Sequence, residues 1–281
     1  MVCSKAAVTD DLHPAGKKAV AVAHLRRYLQ GGFCMEDFRE IHHAYLIVSF
    51  FGALTARAGA CGEDIFVMAA QTYGEERGKR MAMRALRDGN ALDLASYFAY
   101  CEWVPTPGES EACFETCPGT VVESVVRCPW NAVFKESGSA CGERYCREID
   151  RAIVRGFSPK LRFESVQTLA HAQSCKMRFF DEMVDETFWR RVDRLKQGAC
   201  SCVRPFSYHC GHLWSTFSRI VLNVLGDEAG GQAVRQAYDS FAARFGEAAA
   251  RALVQYAHEP FFSIADHQAK IPENREMQAV F

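Results

Sequence analysis

Most of the alternation of apolar and polar residues in this chain lies in one window, residues 120–181, and the stretches on either side carry mainly helical spacing. The run Thr120-Val121-Val122-Glu123-Ser124-Val125-Val126 is rich in β-branched residues. Leu161, Phe163 and Ser165 repeat at every second position, and Cys175, Met177 and Phe179 alternate with Lys176 and Arg178. Branched and aromatic side chains at period 2 suit a pleated, half-buried strand. Three antiparallel strands are predicted, the last two joined as a hairpin across residues 170–174. Between the first two, residues 129–136 and 143–155 read as helices, the second stopped by Gly156 and Ser158-Pro159. A few strands inside a mostly helical chain imply an α+β fold, with helical layers around a small antiparallel β-sheet of about three or four strands.

The flanks divide as follows. Residues 1–16 are polar and are expected to form a flexible N-terminus, 17–110 a helical part, 111–262 an α+β part with the Cys cluster and the C-terminal helices, and 263–281 a peripheral tail, with the two middle parts making one compact domain. Val20, Val22, Leu25, Tyr28 and Leu29 mark a first helix closed by Gly31-Gly32. Residues 35–57 are apolar nearly all round after His43, the pattern of a buried central helix, and His42 and His43 at its polar end read as structural. Residues 63–87 have strongly helical composition up to the stop Asp88-Gly89-Asn90. Within them Gly74 and Gly78, four apart, each cost a helix about 1 kcal/mol against Ala, which points to a close approach by a neighbouring helix or a ligand. Glu75, Glu76, Arg77 and Arg80 read as a solvated face with i,i+4 pairs. Residues 92–100 are a short helix or extended piece, and residues 103–108 break the chain. After the sheet, helices are expected over 181–196, 209–225 and 231–256, with a loop at 198–208. An echo between residues 78–86 and 246–253, each after an aromatic-rich helix opening on histidine, raises a duplication as one reading.

Thirteen cysteines in 281 residues, odd in number and irregular in spacing, read as reduced thiols. The first residues lack a basic segment followed by an apolar core, and the most apolar run, 44–56, is short of a membrane span, so a cytoplasmic protein is expected. Formal net charge is −1 with no long Lys/Arg run, which weakens any case for nucleic acid or an anionic membrane surface. The expected partner is a small-molecule substrate, with a homo-oligomer possible.

One thiol stands out by its setting. Cys128 follows the first strand and precedes Pro129, so it sits where a strand hands over to a helix N-terminus. Unpaired backbone N–H groups and the positive end of the helix dipole favour thiolate there. On the helix after Gly142, Glu143, Cys146 and Asp150 share one face, flanked by Arg147 and Arg151. Two thiols beside two carboxylates suit nucleophilic attack with a carboxylate handling protons. The catalytic candidates are therefore Cys128, Asp150, Cys146 and Glu143. Cys175 should open a strand beside the one ending at Cys128, with His171 in the adjoining turn. Three thiols and a histidine are also a zinc ligand set, but they lack the short Cys-x₂₋₄-Cys spacing of structural zinc sites, so no cofactor is assigned and a metal stays open. His209 and His212, one helical turn apart, read first as core or capping histidines and, as the alternative, as groups that bind a carboxylate or relay protons. Cys200-Ser201-Cys202 is too tight for a redox pair and receives no role.

Taken in order, Tyr73-Gly74-Glu75, Arg77-Gly78, Met81-Ala82, Gly89-Asn90, Tyr97, Tyr100, Glu102-Trp103, Arg127-Cys128-Pro129, Tyr145-Cys146, Ile149-Asp150, Gly156-Phe157, Pro159, Thr168-Leu169, Cys175 and Phe179 resemble the L-2-amino-thiazoline-4-carboxylic acid hydrolase family over about residues 60–220. The resemblance implies ring opening of a cyclic isothiourea to a carbamoyl-cysteine, a step toward cysteine in bacteria, and adds Tyr73 to the substrate-contact candidates. One departure is the turn before Cys175, which carries Ala172-Gln173 where the family pattern has a Gly-Asp pair. C2 of such a ring is an electrophilic amidine carbon open to a thiolate or to a carboxylate-activated water, and Arg127 or Arg147 would hold the ring's carboxylate through a bidentate contact. The sheet segment also resembles vinyl-4-reductase-type small-ligand domains. That alternative implies a ligand- or metal-binding sensor module without hydrolysis.

Overall fold

The computed structural model describes residues 38–180, 183–199 and 202–261. The helix expected near residues 20–29, the start of the 181–196 helix, Cys200 and the tail from Ile264 lie outside the described residues.

The fold is α+β, helical layers against a four-stranded antiparallel sheet. In chain order the elements are α1 (Glu40–Arg87), α2 (Leu94–Ala99), β1 (Glu111–Cys117), β2 (Thr120–Arg127), α3 (Pro129–Glu136), α4 (Cys141–Phe157), β3 (Phe163–Gln167), β4 (Cys175–Phe180), α5 (Glu186–Gly198), α6 (Phe206–Phe245) and α7 (Glu247–Tyr256). The sheet runs β1-β2-β4-β3. Its first strand is additional to the three read from alternation: Glu111–Cys117 pairs with β2 through a turn at Pro118-Gly119, where Gly119 takes φ 69°.

Both long helices are hairpins that turn on a glycine. α1 folds back at Gly59, φ 53°, and α6 at Gly226, φ 75°, a region that side-chain-bearing residues avoid. The two hairpins meet over Phe50, Phe66, Trp214 and Phe217, with ring centroids 5.2–5.6 Å apart. The continuous helix expected over 231–256 is instead interrupted at Gly246, φ 88°, so α7 is a separate piece.

The second arm of α1 lies directly on α4. A methyl group on Gly78 would stand 2.1 Å from the Ile153 carbonyl oxygen, one on Gly74 2.7 Å from the Ala152 Cβ, and one on Gly156 2.3 Å from the Glu75 carbonyl oxygen. The close approach announced by Gly74 and Gly78 is therefore a helix, and it brings backbone against backbone. The solvated face predicted beside these glycines is corrected: Glu75 pairs with Arg155 near the surface, but Arg77 and Arg80 are each 1% exposed. Their burial has a reason that lies elsewhere in the chain, in Glu102.

The sheet presents one face to α4. Residues directly opposite in an antiparallel ladder share a face. Val121 faces Phe179, Glu123 faces Met177 and Val125 faces Cys175, so this face runs from an apolar end, where Val121, Phe179 and Val154 pack together, toward Cys175 and Cys128.

Candidate active site

At the far end of that face, β2 hands over to α3 at Cys128, the helix N-cap, with extended backbone (φ −145°, ψ 121°) and Pro129 as first helical residue. Cys146 and Asp150, one turn apart on α4, and Cys175 at the start of β4 lie within electrostatic reach of it. Glu123 joins them from the same sheet face. All five are half-buried, yet desolvation is the first influence on each, so they form a partly dehydrated cluster where the sheet meets α4, hereafter the recess.

The electrostatics of this recess differ from the expectation for an isolated helix N-terminus. Burial pushes the Cys128 thiol up; the N–H groups of Asn131 and Trp130 oppose it without prevailing, and Asp150 adds to the rise. Burial likewise raises Cys146 well above the ordinary thiol value, helped by Cys128, Cys175 and Asp150. Cys175 rises to about 11 although its sulfur accepts the Leu169 N–H at 3.3 Å. The dipole argument for a standing thiolate is thus outweighed by desolvation. The carboxyls respond to the same dryness: Asp150 is raised to about 6 by burial, with Arg77 pulling the other way, and Glu123 to about 7 by burial and by Asp150. The recess holds neutral thiols beside two carboxyls that titrate near neutrality.

Other predicted site residues fall outside this group. Glu143 points to the surface, paired with Arg147 at 3.2 Å and with His171 at 3.3 Å, and His171 is itself exposed. Arg127 turns to the sheet rim, giving bonds to the Gly108 carbonyl (2.8 Å) and Glu111 (3.0 Å). Both arginines offered for a substrate carboxylate already have carboxylate partners on the protein. His209 is fully buried and donates to the Glu102 carbonyl oxygen at 3.2 Å; burial lowers its pKa to about 3, so it stays neutral. His212 donates to the Glu76 carboxylate at 2.8 Å, a carboxylate of the protein's own.

Tyr73 sits behind the recess, wholly buried, at the end of a short relay. The Trp130 indole N–H, which can only donate, bonds His43 Nδ1 at 3.0 Å, and burial keeps His43 neutral. His43 therefore carries its proton on Nε2 and gives it to the Tyr73 oxygen at 2.9 Å.

Beneath the relay lies an ion cluster. Arg80 grips Glu102 with two bonds of 2.9 and 2.8 Å, and Arg84 adds one of 2.7 Å. Arg77 approaches it only to 3.6 Å and lies over the Trp103 ring, 3.7 Å from its centroid. Burial alone would raise the Glu102 carboxyl, but Arg80 and Arg84 hold it well below the ordinary range.

Glu123, Arg77 and Glu102 were not selected from sequence as site residues. The available signals were an acid at the inward position of a β-branched run, and arginines spaced 77, 80, 84 on one helical face. Among the described residues no group of three or more His, Cys, Asp or Glu side chains is placed to hold a metal ion.

A family model described as L-2-amino-thiazoline-4-carboxylic acid hydrolase matches residues 39–179, half of the chain. No curated protein and no solved structure matches it.

Proposed function

The chain belongs to the L-2-amino-thiazoline-4-carboxylic acid hydrolase family, and from that premise we propose that it opens a small cyclic amidine or amide with Cys128 as nucleophile and Asp150 and Glu123 moving the protons. The observation that carries this reading is the recess itself, where a helix-capping thiol stands beside two carboxyls raised to about 6 and about 7. A thiol held neutral by burial needs a local base, and a carboxylate near 6 is ionised at neutral pH. Asp150 takes the Cys128 proton as sulfur adds to the amidine carbon. The tetrahedral adduct collapses with cleavage of the bond to the ring sulfur or nitrogen, which Glu123 protonates. One water then attacks the thioester-like carbon and Cys128 leaves with a proton, so the net change is addition of one water. Trp130-His43-Tyr73 fixes the wall next to the nucleophile, and the apolar end of the sheet face limits the ligand to a small ring. A 2-amino-thiazoline-4-carboxylate ring fits this chemistry.

Two results are expected. Cys128→Ser and Asp150→Asn each lower turnover of 2-amino-thiazoline-4-carboxylate by roughly a hundredfold or more, the scale of a lost proton-transfer group. Full activity in Cys128→Ser would sink the covalent route in favour of water attack, and absence of turnover by the wild type, with tight metal uptake, would favour a binding module. The kcat/KM profile should be a bell, because the ascending limb requires Asp150 ionised, above about pH 6, and the descending limb requires Glu123 protonated, below about pH 7. Glu123→Gln should remove the descending limb. A profile unchanged in that variant would take Glu123 out of the reaction.

A further inference from the structure

The inner end of the recess holds hydrogen-bond donors without acceptors. Arg77 is 1% exposed, yet its Nε and Nη1 have no hydrogen-bond partner. Its nearest carboxylate, Glu102, is already engaged by Arg80 and Arg84. Tyr145, 4% exposed and five residues before Asp150 on α4, has a buried hydroxyl that also lacks a partner. Tyr73 receives the His43 proton on its oxygen, which leaves its own O–H to give. Arg77 and Tyr73 lie together, the guanidinium carbon 5.8 Å from the Tyr73 ring centroid, and Tyr145 is within electrostatic reach of both and of Cys146 and Asp150. The charge count agrees with the donor count. Three buried guanidiniums surround one carboxylate, while Glu76 nearby is neutralised by Arg219.

Buried donors are normally satisfied, and an excess of donors with an excess of positive charge calls for a group that only accepts and is negative. Arg77 is also preorganised for it. The Trp103 ring holds the guanidinium plane, and the glycine contacts of α1 with α4 bring Arg77 close enough for its field to reach Asp150.

We propose that Arg77 and Tyr145, with the Tyr73 hydroxyl, form an anion subsite at the inner end of the recess that takes the carboxylate of a small ring-bearing acid. The proposal rests on the reading of this recess as the substrate site, and it replaces Arg127 and Arg147 in that role. A ligand anchored there is held with its ring toward Cys128 and Asp150. Selectivity for carboxylate-bearing rings then follows from the protein rather than from the chemistry of ring opening.

The test separates binding from turnover. Titration calorimetry with L-thiazolidine-4-carboxylate, which lacks the amidine carbon, is compared with carboxylate-free thiazolidine on the full chain. The wild type should prefer the acid by about tenfold or more, as expected of charged hydrogen bonds in a dry site. Arg77→Gln should bring the ratio close to one, and Tyr145→Phe, which removes one oxygen atom and fills the same space, should lower it a few-fold. A merely structural role for these residues would weaken both probes alike and leave the ratio unchanged. A wild-type ratio near one, or an unchanged ratio in folded Tyr145→Phe, would overturn the subsite; Tyr145→Phe decides the matter if Arg77→Gln fails to fold. Acid-selective binding without turnover of 2-amino-thiazoline-4-carboxylate would keep the subsite and reject the hydrolase reading. Turnover without acid selectivity would do the reverse.

Discussion

Glu102→Gln is expected to destabilise the fold by about 3–5 kcal/mol, the range for removing one partner from a buried ion cluster. The substitution preserves shape and removes charge. Glu102 is wholly buried and receives three hydrogen bonds, two from Arg80 and one from Arg84, with Arg77 at 3.6 Å. A glutamine offers one acceptor oxygen and turns two new donors toward guanidiniums that can only donate. Three cations would then share a dry interior without the carboxylate that bonds two of them. Urea unfolding monitored at constant m-value reads the loss, with Glu186→Gln as control: its partner Arg190 is on the surface, where an ion pair contributes little, so no measurable change is expected. A Glu102→Gln midpoint close to wild type would mean that the cluster is solvated. The pH dependence follows with its sign. The folded-state pKa of Glu102 is depressed, so its stabilisation is complete above the ordinary carboxylate value of 4.5 and is lost only as pH falls through the depressed value.

Gly78→Ala should cost about 3 kcal/mol, at the upper end of the range for overpacking a well-filled interior. The added carbon would stand 2.1 Å from the Ile153 carbonyl oxygen and 2.5 Å from the Phe157 nitrogen, both backbone atoms that no rotamer change can move aside. Relief requires α1 and α4 to separate. Arg77 and Asp150 sit on those two helices, so the variant should also lose carboxylate selectivity and activity. Gly231→Ala is the matched comparison. Nothing lies within 4 Å of the position its Cβ would occupy, and a helical alanine there should be neutral or stabilising by up to about 1 kcal/mol. Equal behaviour of the two variants in thermal unfolding would remove the close helix contact as a structural determinant.

The sheet and the Cys128 handover were legible in the chain because their signals are local: alternation, a β-branched run and a proline just after the thiol. The glycine pair was legible for the same reason, since two costly residues in one helix have to be offset by a neighbour. β1 was harder, because Glu111–Cys117 is mostly exposed, lacks a clean apolar–polar alternation and takes its conformation from pairing with β2. The buried charges were hidden for a deeper reason. Arg77, Arg80 and Arg84 have the spacing of a solvated helical face, and only a glutamate from outside that helix turns the same spacing into an interior. Glu123 is read as an ordinary polar break in a strand until the register places it opposite Met177 on the face toward α4. Cys128, Cys146, Asp150 and Cys175 were brought together as their elements predicted, whereas Glu143, Arg127 and Arg147 found surface partners that spacing alone does not reveal.

The kinked hairpin α6 carries a consequence for how this chain can vary. The segment shared with the family closes at residue 179, but the ion cluster inside that segment is sealed from beyond it. His209 binds the Glu102 carbonyl, His212 and Thr216 bind Glu76, and the Phe261 carbonyl accepts from Arg80 at 3.1 Å. A fragment cut at the family boundary would open Arg80 and Glu102 to water. The unit that must be inherited intact is therefore larger than the unit that is recognisably shared. His212 contacts both Glu76 and Arg80, so replacing it alone would leave buried polar groups of the matched segment without one of their partners.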